Sequence, residues 1–217
     1  MGKLITTSLL DSYDWMITCP SHHRANAFKQ LSDQLNRTPH DLSPAIKRGL
    51  QFESFVCANL DAETKEDFVS RFKERTTPKI GMFWDKCRGG RQQAKVSKTV
   101  TIDGIEYYFY GKRDIAFCDK TIDIKTTGDY KGPQYYLTKN QHAIYIFCTE
   151  IEAFDYIIAE FDDVIGTAVD VAVVDASMSV SVAEERCVQK VKEFIAFLGT
   201  DDELLTACNT KFCRQGW

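Results

Sequence analysis

The sequence predicts an α/β fold, a mixed central sheet flanked by helices in the order αβββαβ. Residues 95–102 alternate polar and β-favouring apolar side chains, Asp103-Gly104 supplies a hairpin turn, and residues 105–110 return. A second hairpin follows, with Ile115-Ala116-Phe117-Cys118 and Thr121-Ile122 joined by the charged pair Asp119-Lys120. Helical periodicity brackets these strands, over residues 45–56 before them and around Gln141 and Tyr145 after them. A further β-rich run occupies residues 153–161.

Taken in order, the chain opens with Thr6-Thr7-Ser8-Leu9-Leu10-Asp11-Ser12-Tyr13. Thr7 or Ser8 is expected to cap a helix with Leu9, Leu10, Tyr13 and Met16 as its apolar stripe, stopped by Pro20. His22 and His23 read as surface residues, and a helix runs through Phe28 and Leu31. Thr38-Pro39 and Ser43-Pro44 punctuate a loop. In the helix over 45–56, Ile46, Leu50 and either Phe52 or Phe55 are expected on apolar faces. Glu53 sits among them, where an unpaired carboxylate is costly. Residues 63–75 read as a charged amphipathic helix carrying Phe68, Val69 and Phe72, broken at Thr77-Pro78.

Phe83 and Trp84, interleaved with basic residues, suit either the core or the stacking of bases, and Gly89-Gly90 suggests a mobile loop. Gly111 permits a bend or a close approach of backbone before Asp114. A polar loop is expected through Tyr136, and Thr138 is placed to cap the helix that carries Gln141 and Tyr145 one turn apart on one face. Residues 169–174 form a further strand, and 183–198 a helix with Val188, Val191, Phe194, Ile195 and Leu198 inward. The whole, 1–217, is expected as one domain with an N-terminal helical segment (1–75) and a C-terminal helical extension (183–217).

Composition bounds the partners. A hydrophobic content of 44% with mixed charge describes a globular chain rather than a disordered one. Polar Asp11, Ser12 and Asp14 follow the N-terminus, so no signal peptide is expected, and no apolar run reaches membrane-span length. Eight cysteines are then expected as reduced thiols or metal ligands, not a disulfide framework. The net charge of −4 argues mildly against nucleic acid, but the distribution is uneven. Lys65, Arg71, Lys73, Arg75, Lys79, Lys86, Arg88, Arg91, Lys95 and Lys98 crowd one stretch, and carboxylates dominate after Cys148. Phosphate backbones respond to such local patches; solvated helix faces produce them too.

The chemistry concentrates between Gly104 and Tyr145. Asp114 begins one arm of the second hairpin; Asp123 and Lys125, two apart, share a face of the other. Acidic oxygens suit a hard divalent cation, and a lysine beside them can hold or deprotonate a water. Hydrolysis of a phosphodiester needs that set.

Gly111-x-x-Asp114 with Asp123-x-Lys125 resembles the GxxD…DxK form of the PD-(D/E)XK nuclease signature, and Gln141-x-x-x-Tyr145 the QxxxY motif of its RecB-like exonuclease branch. That branch includes CRISPR-associated RecB-like exonucleases and phage recombination exonucleases. Arg48-Gly49-x-x-x-Glu53 is similar to the segment where the family places an acidic residue or a histidine. The resemblance implies a restriction-endonuclease-like core and a metal-dependent DNA exonuclease. Mg²⁺ or Mn²⁺ would be held by Glu53, Asp114, Asp123 and the Ile124 carbonyl, with Lys125 on the attacking water. Gln141 and Tyr145 would hold the strand or buttress Lys125.

DNA, single-stranded or at duplex ends, is the implied partner, guided by Arg48, Lys86, Arg88, Arg91, Lys112 and Arg113 beside Gln141 and Tyr145. A recombination or replication protein is a further implied partner. The implied location is the cytoplasm, or the host cytoplasm for a phage-encoded chain. A structure-specific endonuclease and a non-catalytic nucleic-acid-binding module are the alternatives. Some RecB-like exonucleases hold an iron–sulfur cluster between an N-terminal Cys-Pro and three C-terminal cysteines. Cys19-Pro20, Cys208 and Cys213 match only part of that pattern, so unliganded thiols are expected.

Overall fold

The structure, a computed structural model, describes residues 2–39, 41–162, 164 and 166–212. A six-stranded sheet is built from β1 (Lys3–Thr6), β2 (Arg91–Ile102), β3 (Ile105–Ala116), β4 (Lys120–Thr127), β5 (Ala153–Asp162) and β6 (Thr167–Asp175). Helices α1 (Thr7–Thr18), α2 (Arg24–Leu35), α3 (Pro44–Asn59), α4 (Lys65–Ser70) and α5 (Gly81–Cys87) precede β2. Then α6 (Pro133–Leu137) and α7 (Gln141–Thr149) separate β4 from β5, and α8 (Val180–Leu198) and α9 (Asp202–Thr210) follow β6. The run α3-β2-β3-β4-α7-β5 reproduces the expected αβββαβ order. Two hydrophobic clusters form the core. One joins α1, α2, α7, α8 and α9 to residues such as Phe109, Phe154 and Tyr156. The other joins α3, α4 and α5 to Ile122, Ile124 and Ile157.

Strand pairing shapes everything that follows. β2 covers one edge of β3 along nearly its whole length, from Ile102↔Ile105 to Arg91↔Ala116. The turn between them places Asp103 and Gly104 at φ 50° and 77°, the left-handed pair that a two-residue hairpin with right-handed strand twist requires. The other edge of β3 is shared. β1 pairs in parallel with residues 107–110, and β4 pairs antiparallel only at Ile115↔Ile122 and Ala116↔Thr121. After those two pairs β4 turns away to run parallel to β5 for eight residues. Residues 111–114 are therefore left without a strand neighbour on that edge, and a fork opens between β3 and β4.

Several elements differ from expectation. β1 was not expected; four residues are too few for a periodic signal. Thr6, not Thr7 or Ser8, caps α1 by accepting from Leu9 N–H at 3.2 Å. The helix expected over 63–75 shrinks to α4, capped by Thr64. The loop before Thr138 contains α6, and Thr138 closes that helix instead of capping α7. Phe83 is fully buried and Trp84 donates its indole N–H to the Ala62 carbonyl, so both belong to the scaffold. Gly90 sits tightly against Ile115 and Phe117, where a Cβ would fall 2.3 Å from Ile115, and this packing explains the glycine better than mobility does. On α3, Phe52 and Val56 face the core, while Ile46 and Leu50 stay half exposed, at 48% and 50%.

Helix α7 is fixed at its start from two sides. Asn140 donates to Asp11 Oδ1 at 3.1 Å and to Asp14 Oδ2 at 2.7 Å, tying its start to α1. Arg186 of α8 donates to the carbonyls of Leu137, Thr138 and Lys139, groups that the end of α6 leaves unpaired, and also meets His142 Nε2 at 3.1 Å. Burial, and then Arg186, push the His142 pKa down to about 4, which keeps this inner residue neutral. Among the described residues no helix is long and apolar enough to cross a membrane.

The burial pattern of α3 and α5 sets a stability contrast. Phe83→Ala should cost about 3–5 kcal/mol in urea unfolding, and Ile46→Ala less than about 0.5 kcal/mol. Equal losses at the two positions would place Ile46 in the core after all.

Candidate active site

The fork leaves backbone groups in need of partners, and side chains supply them. Ile124 N–H donates to Asp114 Oδ2 at 2.8 Å, across the gap that strand pairing would otherwise fill. Tyr145 of α7 serves Lys112 twice: its hydroxyl donates to the Lys112 carbonyl at 2.9 Å and accepts from Lys112 N–H at 3.3 Å. The ring reaches that position because residue 111 is glycine; a Cβ there would lie 2.2 Å from Tyr145 Cε1.

Asp123, one residue before Ile124, is buried to 1% exposure. Lys125 Nζ lies 2.6 Å from its Oδ2, and the Gln141 amide donates to its Oδ1. Gln141 also stands 3.3 Å from Tyr145 Oη, so the two residues of the QxxxY pattern meet at the fork from one helix face. Glu53 arrives from α3. That helix packs close to β4 because Gly49 faces Thr126, where a Cβ would be 2.9 Å from Thr126 Oγ1, and Glu53 lies one turn further on.

Gln93 was not anticipated. It sits on β2 opposite Asp114, donates its amide to Glu53 Oε1, and stands 3.5 Å from Asp114 Oδ1. Its backbone φ is 53°, a conformation that no local sequence pattern announced. Grooves of about 370 Å³ and 480 Å³ open on either side of Glu53. One is walled by Ile46, Leu50 and Lys125, the other by Gln92, Gln93 and Lys112, so the fork is reachable from solvent.

Charge is held under tension here. Burial, then Asp123 and Glu53, raise the Asp114 pKa to about 8, despite the opposing pull of Lys125. Burial and Asp123 raise Glu53 above the usual carboxylate range. For Lys125 burial works against the charge, but Asp123 and Asp114 outweigh it and lift the pKa above that of an ordinary lysine. Lys125 is therefore a firm cation, suited to donating hydrogen bonds and unsuited to removing a proton. Among the described residues no three carboxylates, imidazoles or thiols close into ready-made metal geometry. Instead amide and ammonium donors hold each acid: Gln93 on Glu53, Lys125 and Gln141 on Asp123. Hard carboxylate oxygens converging beside the edge of β4 are chemically fit for Mg²⁺ or Mn²⁺.

The expected residues divide clearly. Glu53, Asp114, Asp123, Ile124, Lys125, Gln141 and Tyr145 meet at the fork, and Lys112 lines the groove beside Glu53 and Gln93. Of the other cations named for nucleic acid, Arg48, Lys86, Arg88 and Arg91 do not gather there. Arg48 turns over the Phe161 ring at 5.4 Å, and Arg88 covers Trp84 at 4.6 Å. Lys86 lies 3.6 Å from Asp155 on β5, and Arg91 pairs across from Ala116 at one end of β2, whereas Arg113, within the 111–114 segment, reaches across to β4 and donates to Thr121 Oγ1.

Within the basic stretch Lys65, Arg71, Lys79 and Lys98 also face carboxylates, those of Asp85, Asp61 and Asp67, Asp170 and Glu150 respectively. Half of the cations named along this stretch thus face carboxylates in the fold. Cys19 and Cys208 are buried thiols, and Cys213 lies outside the described residues.

Fold and fork together define a PD-(D/E)XK-like α/β core. The solved structure of LHK-Exo in complex with dAMP is similar to this chain at 19% identity, covering 97% of this chain and 94% of its own, with a TM-score of 0.50. The alkaline exonuclease LHK-Exo from Laribacter hongkongensis, in another structure, shares 16% identity over 96% and 94% of the two chains, with a TM-score of 0.49. SSO0001 shares 14% identity over 91% and 77%, also at 0.49. At such identities the first of these likenesses speaks for the fold alone. No family profile and no curated protein matches the sequence.

The raised Asp114 pKa fixes the sign of a pH effect. Between about pH 4 and 8 folded Asp114 keeps a proton that the unfolded chain releases, so the metal-free protein loses stability as pH rises and levels off above 8. In EDTA at pH 8, Asp114→Asn should melt at least about 2–4 °C above the parent, and the gap should close near pH 4. A gap independent of pH would remove the charge explanation.

Proposed function

We propose that this chain is a divalent-metal-dependent deoxyribonuclease that hydrolyses phosphodiester bonds from DNA ends. One observation carries the reading: buried Asp123 is bound at once by Lys125 and by Gln141, across the fork from Asp114. A structural ion pair needs none of the groove, the second carboxylate or the third that stand around it. Mg²⁺ or Mn²⁺ would be held by Asp114, Asp123, Glu53 and the Ile124 carbonyl, whose N–H already faces Asp114. When bound, the metal supplies positive charge to the scissile phosphate and its leaving oxygen.

The chain's own residues do the rest. Lys125, kept charged by Asp123, donates to the attacking water or to the phosphate oxygen on which charge develops. Gln141 fixes the Asp123 carboxylate, and Tyr145 fixes the backbone at Lys112, so the acids keep their spacing as the strand enters. Lys112, exposed at the groove, meets the DNA backbone. Action at ends, on single strands or duplex termini, follows the QxxxY resemblance, and a recombination or replication protein would be a partner suited to it.

End-labelled linear DNA and closed circular DNA, each with Mg²⁺, Mn²⁺ or EDTA, test this reading. Loss of linear DNA alone, only with metal, is expected. Nicked circles would make the enzyme an endonuclease, and retention without cleavage would leave a binding module. Lys125→Ala should slow cleavage by about 10²–10³-fold while DNA affinity in EDTA holds; undiminished cleavage would take Lys125 out of the mechanism.

A further inference from the structure

β2 is regular on both sides of a single residue. Arg91 and Gln92 pair with Ala116 and Ile115, Ala94 pairs with Arg113, and the register is the same before and after the interruption. Gln93 alone drops out of the ladder, at φ 53°. A side chain with a Cβ is disfavoured in that region, and such residues persist where surrounding contacts over-determine them. The contacts here are specific. The Gln93 amide donates to Glu53 and stands beside Asp114, while Gln92 next to it donates to the Cys57 carbonyl on α3 at 2.8 Å. One residue thus grips the helix that brings Glu53, and the other grips Glu53 itself.

We propose that Gln93 is a positioning residue for the divalent cation: its amide holds Glu53 toward Asp114, beside the space the cation would occupy. This rests on the nuclease reading above. Carboxylates brought into one fork repel one another, and a neutral donor between two of them keeps both aimed inward without adding a full charge to compete with the ion. A lysine at position 93 would neutralise the site; an apolar residue would let Glu53 swing to solvent along the groove. The amide reaches Glu53 from a point where the backbone leaves the strand path, a contact that can hold a left-handed residue in mid-strand.

The experiment is Mn²⁺ binding to the full chain, by calorimetry and by Mn²⁺ electron paramagnetic resonance, for the parent, Gln93→Gly and Gln93→Met. Glycine accepts the positive φ and removes the amide; methionine keeps the length and removes the donor. Both variants should bind Mn²⁺ about 10–100-fold more weakly, with the Gln93→Gly melting temperature equal to or above the parent's and DNA affinity in EDTA unchanged. Parent-like Mn²⁺ affinity in either variant overturns the proposal and leaves the nuclease reading intact. Weakened binding that comes with a lowered melting temperature in both variants reduces Gln93 to a structural brace and overturns it too. A parent protein that binds no Mn²⁺ overturns this proposal and the nuclease reading together.

Discussion

The uncovered edge of β3 between its two neighbours is the constraint on which the site depends. β1 and β4 approach the same edge from opposite ends and neither covers residues 111–114. Backbone donors and acceptors left inside a protein without partners cost free energy on the order of 1–3 kcal/mol each. The chain answers with Tyr145 at Lys112 and Asp114 at Ile124. A continuous β3–β4 ladder would satisfy the same groups more simply, but it would leave no space between Asp114 and Asp123. The fork is an opening in the sheet that side chains keep from collapsing.

The same atoms carry the electrostatics. Asp114 serves the backbone of β4 with one oxygen and faces Gln93 with the other. Asp123 is committed to Lys125 and Gln141. Every acid in the fork therefore has a donor that is weaker, as a partner, than a divalent ion, and the local charge is left short of neutral. Asp114 shows the imbalance through its raised pKa, while Lys125 shows the opposite effect by staying charged despite its surroundings. A lone buried Lys–Asp pair would account for Lys125 but not for the raised pKa of Asp114.

Much of this was legible in the sequence, for physical reasons that differ by residue. Asp123 and Lys125 had to share a face because strand side chains alternate, and Asp103-Gly104 announced its turn because few other pairs tolerate two left-handed residues. Gln141 and Tyr145 were readable as one helix face. Gln93 was hidden because a positive φ in a glutamine is imposed by tertiary contacts and has no local signature. The exposure of Ile46 and Leu50 was hidden because periodicity finds the stripes of a helix without saying which one meets the core. The partners of the basic stretch were hidden for a related reason: Lys79 finds Asp170, and Lys86 finds Asp155, from the far side of the sequence. Folding, which linear charge patterns ignore, decides how much of such a patch remains.

Tyr145 decides between the two roles open to the QxxxY pair. Its side chain is almost wholly buried, and its hydroxyl is already engaged by both backbone groups of Lys112 and by Gln141. A hydroxyl offers one donor and two acceptor positions, so three partners exhaust it. Contact with a DNA strand would require giving up a bond to the fork's own backbone, at the point where no strand neighbour is present to replace it. Gln141 is limited in the same way on its donor side, because the amide nitrogen that reaches Asp123 also faces Tyr145. The geometry therefore favours the pair as a buttress that keeps β3, β4 and the buried carboxylate apart; under the proposed function, contact with nucleic acid would fall to exposed groups at the groove such as Lys112.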